Sequence, residues 1–190
     1  MQQTLRAFVA VLVPDSVAVF LRQVQAQLQL RGVNIRWVAA KNIHLTLKFL
    51  GDIDPSRVPE VAAQMDAAAG MIRPFSLAAK GIGVFPNLRR ARVLWVGLAG
   101  DLDRLKAIQA TLESGMESVG FRRESRDFGA HLTIGRIRHW TDAKMIGASL
   151  DLLKDAASDG FQVDRLVLFK SILKSNGPEY SLLHTSHLAI

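Results

Sequence analysis

Two histidine-threonine pairs carry the chemistry that this sequence offers. His44-Leu45-Thr46-Leu47 recurs as His131-Leu132-Thr133-Ile134, 87 residues later in a chain of 190. Each copy alternates polar and apolar residues, so a strand puts histidine and threonine on one face and the two aliphatic residues on the other. One such motif describes an ordinary half-buried histidine; two at a fixed offset describe a facing pair. Two imidazoles across a cleft can divide an in-line displacement. The neutral ring takes a proton from the attacking oxygen and the imidazolium gives one to the leaving oxygen, since an ordinary histidine pKa of about 6.5 makes both forms available near neutrality. The threonine hydroxyls, on the same faces, can donate to the non-bridging oxygens of a phosphoryl group.

Other chemistries fit less well. A catalytic zinc wants about three protein ligands, and neither motif face carries a carboxylate. His184 and His187 are an odd number apart, which sends them to opposite faces of a strand, and His139 beside Trp140 reads as a structural turn residue. No metal and no cofactor is therefore expected. A serine triad lacks its nucleophile elbow. Cysteine is absent, which removes thiolate nucleophiles and disulfides and suits a reducing cytoplasm. The net charge of +7, with clusters at Arg89-Arg90-Ala91-Arg92 and Arg122-Arg123-Glu124-Ser125-Arg126 and with Arg136 and Arg138 beside the second motif, suits a polyanionic partner. Arg136 falls on the wrong strand face unless a twist or bulge intervenes. Were it to reach the cleft, its charge would disfavour imidazolium at His131, making that ring the base and His44 the acid, with Lys48 as the cation beside the first motif.

The elements that must position these groups come twice over. Thr4–Val13 reads as a strand, too short and too soon ended by Pro14-Asp15 for a signal segment. A helix follows from Asp15/Ser16 to Gly32, then a short strand Asn34–Val38 and the motif strand His44–Leu50, ended by Gly51-Asp52. Asp54-Pro55 opens a helix that closes at Gly70, and Phe75–Phe85 is a strand. After the Pro86-Asn87 turn the second copy runs through strand Arg92–Leu98, a helix capped by Asp101 and ended near Gly120, motif strand Ala130–Ile137, a weaker helix between Thr141 and Ala157, and strand Phe161–Leu173. A Ser175-Asn176-Gly177-Pro178 hairpin leads to strand Tyr180–Leu188. The gapless offset lays Ala7-Phe8-Val9-Ala10-Val11 on Leu94-Trp95-Val96-Gly97-Leu98, so the unit is duplicated.

That order predicts an α+β fold. It is duplicated and bilobal about a pseudo-twofold, with two mostly antiparallel sheets facing across a central cleft and helices outside. Residues 1–190 form a single domain of two similar lobes, expected as a cytoplasmic monomer. No stretch approaches the roughly 20 apolar residues that a membrane helix needs.

At the motif residues the chain resembles the two-histidine (2H) phosphoesterase superfamily, in particular its RNA 2′,3′-cyclic phosphodiesterase branch, also called 2′-5′ RNA ligases. The likeness runs through Leu5-Arg6-Ala7-Phe8-Val9-Ala10, Asn42-Ile43-His44-Leu45-Thr46-Leu47-Lys48-Phe49-Leu50-Gly51, Gly81-Ile82-Gly83-Val84-Phe85-Pro86, Val93-Leu94-Trp95-Val96-Gly97 and Ala130-His131-Leu132-Thr133-Ile134-Gly135-Arg136. It implies metal-independent opening of terminal 2′,3′-cyclic phosphates on RNA or small cyclic nucleotides, leaving 2′-phosphates, with 2′-5′ ligation as the reverse. By the same resemblance His44 and His131 are catalytic and Thr46, Thr133 and Arg136 bind phosphate. Phe49 and Phe85 pack against the terminal nucleoside, an apolar core being the other place for each. Ala130 and Gly135 depart from relatives that often have proline and alanine there. An idle RNA-binding module, or a phosphodiesterase for another small cyclic phosphate or a 2′-5′ oligonucleotide, is the alternative. Retention of both His-Thr pairs favours an enzyme, because binding alone needs no pair titrating near neutrality.

Overall fold

A computed structural model describes residues 4–29, 35–137, 143–175 and 177–189. Leu5–Leu12 forms β1, with Ala7, Val9 and Val11 buried. Helix α1, Asp15–Gln29, buries Val17, Leu21, Val24 and Leu28 at helical spacing. Its expected end at Gly32, like Asn34, His139, Trp140, Thr141 and Asn176, lies outside the described residues. The chain continues through β2 (Ile35–Trp37), β3 (His44–Ile53), α2 (Val58–Ala69), β4 (Phe75–Phe85), β5 (Val93–Gly100) and α3 (Leu102–Ser118). It ends with β6 (His131–Ile137), α4 (Ala143–Asp151), β7 (Phe161–Val163), β8 (Arg165–Lys174) and β9 (Gly177–His187). No helix among the described residues is long and apolar enough to cross a membrane.

Several boundaries differ from the sequence reading. Strand β3 runs through Gly51-Asp52 to Ile53 because Gly51, at φ 75°, enters the left-handed region and bends the strand at a bulge opposite Ala7/Phe8. Asp101 precedes α3 but makes no side-chain cap; its carboxylate accepts from the Ser76 amide at 3.0 Å instead. Helix α4 stops at Asp151, short of Ala157. The stretch Phe161–Leu173 is two strands, because Phe161–Val163 pairs with β4 and the chain then crosses to pair with β1.

Every ladder is antiparallel, and the order is β7-β4-β5-β6-β3-β1-β8-β9 with β2 on β6. The two halves, β9-β8-β1-β3 and β6-β5-β4-β7, join through a single residue pair, Leu45 with Leu132. By the 87-residue offset β1 corresponds to β5, β3 to β6 and β4 to β8. Each half therefore takes its third strand from the other copy of the repeat: β8 lies on β1 and β4 on β5. The apolar residues of the motif strands, Leu45, Leu47, Leu132 and Ile134, enter one core with α1, α2 and α3. The opposite face carries Phe8, Ala10 and Val167 with Phe169 and Tyr180 packed on them, and there the cleft opens.

Candidate active site

The single Leu45–Leu132 pair places the motifs side by side, since extending that antiparallel register by one residue sets His44 across from Thr133 and Thr46 across from His131. All four side chains line one cleft of about 560 Å³. Both histidines are half-buried and anchored alike. Nδ1 of His44 bonds the Asn42 carbonyl at 2.9 Å, and Nδ1 of His131 bonds the Gly129 carbonyl at 2.6 Å. A carbonyl only accepts, so each Nδ1 carries the proton and each Nε2 is left to accept a proton when neutral or donate one when charged. Asn42 is itself tied across the cleft, its side-chain amide donating to the Pro178 carbonyl at 2.9 Å.

A bulge decides where Arg136 goes. On β6 the register with β5 slips between Leu94 and Trp95, leaving Ile134 without a partner, and the inserted residue returns Arg136 to the cleft wall. Gly135 permits the strand to sit there, because a Cβ on it would come within 2.4 Å of Ile35 Cγ2 on β2. On β3, Leu47 is likewise extra against β1, and the faces exchange after it. Phe49 turns into the cleft, 48% exposed, with the Arg6 guanidinium over its ring at 4.7 Å. Lys48 turns the other way. It is not a cleft cation: it is buried against α3, donating to Glu113 at 2.7 Å and to the Arg122 carbonyl at 2.7 Å. Phe85, 38% exposed, stands edge-on to the cleft residue His131 at 5.0 Å and tilted against Trp95 at 5.1 Å.

Rings that the motifs did not announce frame the first histidine. Phe8 stacks on His44 at 4.6 Å, and Tyr180 meets both edge-on, at 5.1 Å from Phe8 and 5.3 Å from His44. This burial lowers the His44 pKa below 6.5, against the bond to Asn42, which raises it. Burial also raises the Tyr180 phenol, and the charge of Arg136 opposes that rise. The charge of Arg136 is thus felt at Tyr180, the ring beside His44. The 87-residue offset held a signal for Phe8, which it lays on Trp95, the neighbour of Phe85 and through it of His131.

The charge of the cleft also comes from unannounced positions. Among the described residues its cations are Arg6, Arg36, Arg136 and Lys174, and no carboxylate lines it. The clusters around Arg89 and Arg122 do not line it; Arg123 and Arg126 pair instead with Glu117 and Glu124. Among the described residues no three His, Cys, Asp or Glu side chains converge as metal ligands. His184 leaves the cleft altogether and bonds Asp66 of α2 at 2.9 Å. What remains is two oriented Nε2 atoms, two hydroxyls and an excess of positive charge around a space the size of a nucleotide.

Comparison with known proteins finds the same arrangement of sequence. A family model described as LigT like phosphoesterase matches twice, over residues 11–95 and 96–180. The RNA 2′,3′-cyclic phosphodiesterase of Methanocaldococcus jannaschii is 30% identical over 94% of this chain and 98% of its own, and that of Thermotoga maritima 31% identical over 95% and 94%. A Thermus thermophilus protein of known crystal structure superposes with a TM-score of 0.78 at 25% identity, covering 96% of this chain and 97% of that one.

Proposed function

The chain belongs to the LigT-like phosphoesterase family, and from that membership we propose that it hydrolyses 2′,3′-cyclic phosphates at RNA ends or on nucleotides to 2′-phosphates. The observation that carries the reading is the matched anchoring of two cleft histidines, each Nδ1 on the carbonyl two residues before it. Water attacks phosphorus opposite O3′. One Nε2 takes the water proton as the P–O bond forms, and the other gives a proton to O3′ as the P–O3′ bond breaks. Thr46 and Thr133 donate to the non-bridging oxygens, and Arg136 adds charge that favours the anion. Phe49, exposed on the cleft wall, offers its ring to the terminal nucleoside. The same displacement with a 5′-hydroxyl in place of water yields a 2′-5′ linkage.

Turnover of a nucleoside 2′,3′-cyclic phosphate tests the proposal, with the product compared with 2′- and 3′-nucleotide standards. The 2′-nucleotide is expected, and the rate should survive excess chelator because proton transfer rests on the histidines. RNA binding without turnover would leave an idle module; a 3′-nucleotide would reverse the substrate, and loss with chelator restored by zinc would remove the mechanism. His44→Ala and His131→Ala should each lose about 100-fold or more in kcat/KM, since acid and base serve one step. A substrate with an activated leaving group needs little acid help, so it should rescue one of these variants and not the other, which identifies the acid. Equal rescue of both would end the division of labour.

A further inference from the structure

Asn42 holds His44 with its backbone and is itself held by its side chain. Its carbonyl accepts from Nδ1 of His44 at 2.9 Å, and its side-chain amide donates to the Pro178 carbonyl at 2.9 Å. The 87-residue offset lays Asn42 on Gly129, whose carbonyl accepts from Nδ1 of His131 at 2.6 Å but which has no side chain to anchor. The two rings are thus oriented alike by holders that are fixed differently. What Asn42 is tied to is a ribbon. Strand β8 leaves β1 after Ser171, the partner of Arg6, yet its ladder with β9 goes on to the Leu173–Pro178 and Lys174–Gly177 pairs. A two-stranded ribbon on its own is only marginally stable, and Leu173 at its tip is 71% exposed. The ribbon nevertheless forms one wall of the cleft, with Lys174, Pro178 and Tyr180 all lining it and Tyr180 edge-on to His44 at 5.3 Å. Among the described residues its tip, from Ile172 to Pro178, makes one hydrogen bond to the rest of the chain, the one from Asn42.

We infer that Asn42 is a positioning residue for His44 alone: pinned by the ribbon, it keeps in place the carbonyl that fixes the Nδ1–H tautomer and aims Nε2 at the cleft. An imidazole without that bond takes either tautomer and turns about its side-chain torsions, so it would no longer present the same nitrogen to the substrate in every molecule. The effect on rate rests on the hydrolase reading above; the effect on the ring does not. It gives Asn42 and the β8–β9 ribbon a role that the His-Thr motifs do not contain, and it breaks the symmetry of the repeat.

The test reads the two rings separately in the substrate-free protein. Long-range proton–nitrogen NMR distinguishes an N–H nitrogen from a bare one, and at alkaline pH both histidines should show Nδ1–H with a bare Nε2. In Asn42→Ala, His44 should pass to a mixture of tautomers and its Nδ1 proton should exchange with water about tenfold faster, the worth of one hydrogen bond, while His131 stays as it was. An unmoved His44 overturns the inference. So does an equal change in both rings with a lowered Tm, which would report a general loosening. Turnover of a nucleoside 2′,3′-cyclic phosphate should lose about tenfold in kcat with KM changed less than about twofold, since the ring and not the bound substrate is disturbed. A loss through KM alone, with His44 unmoved, would make Asn42 a substrate contact and end its positioning role. Should Asn42→Ala fail to fold, Asn42→Leu, of similar outline but without the donor, reads the same two rings with the same expectation and the same reversal. If the protein hydrolyses no cyclic phosphate yet His44 alone responds, the hydrolase reading fails and this one stands; turnover with both rings unmoved in the variant leaves the hydrolase and removes the role of Asn42.

Discussion

His44 owes its titration to the rings around it more than to its own motif. The stacked Phe8 and edge-on Tyr180 keep water from the imidazole, and burial disfavours its charged form. A folded pKa below 6.5 means that the unfolded chain binds the proton first. Stability is therefore complete above 6.5 and falls as the pH drops through the window beneath it. With both histidines serving one step, as proposed, the same group is expected to set an acidic limb of kcat/KM below 6.5. Tyr180→Ala admits water to the ring, so the limb should move up toward 6.5, whereas Tyr180→Phe keeps the ring and should leave the limb in place. Proton NMR titration of His44 beside the rate profile checks this, and a limb unmoved by Tyr180→Ala would place its origin elsewhere. The histidines and threonines were legible because one period of two residues and one of 87 fall on the same four positions. Phe8 read as core and Tyr180 as an ordinary strand residue, since contact across a sheet leaves no local pattern.

Strand β3 shows where alternation fails as a guide. Strict period two puts Lys48 on the face of His44 and Thr46, and the bulge at Leu47 sends it to the core with Phe49 in its stead. No residue type marks that bulge, so a lysine beside the motif read as a cleft cation. The buried lysine instead ties β3 to α3 and, through the Arg122 carbonyl, to the segment leading toward Gly129 and His131. Glu113 further accepts from the Glu124 amide at 3.4 Å. Lys48→Ala strands a carboxylate that is only 5% exposed, and breaking such a pair from one side costs about 3–5 kcal/mol. Urea unfolding should register that loss. The double change Lys48→Met with Glu113→Leu removes both charges and should recover most of it. If Lys48→Ala alone were neutral, the ion pair would not hold the bulge. Arg136 followed the opposite course: period two put it on the wrong face, the need for a bulge was evident from the residue numbers, and β6 supplies one at Ile134.

At the scale of the molecule, the duplication was legible and the exchange of strands was not. A repeat tells which segments are alike, while the choice of neighbour depends on long-range pairing that no window of sequence contains. Here β4 leaves the first copy to pair with β5, and β8 returns from the second to pair with β1. Neither copy alone can complete its sheet, and the helices of both enter one core with the two motif strands. The halves should therefore lose structure together although they touch in the sheet through one residue pair. In a Trp140→Phe background tryptophan fluorescence reports Trp37 on β2 and Trp95 on β5, both in the second half, whereas amide NMR signals of β1 and β8 report the first. Coincident urea midpoints and slopes from the two probes are the expected outcome, as for one two-state domain. Two separated transitions would make the lobes independent folding units, and the exchanged strands would then be a feature of topology without consequence for cooperativity.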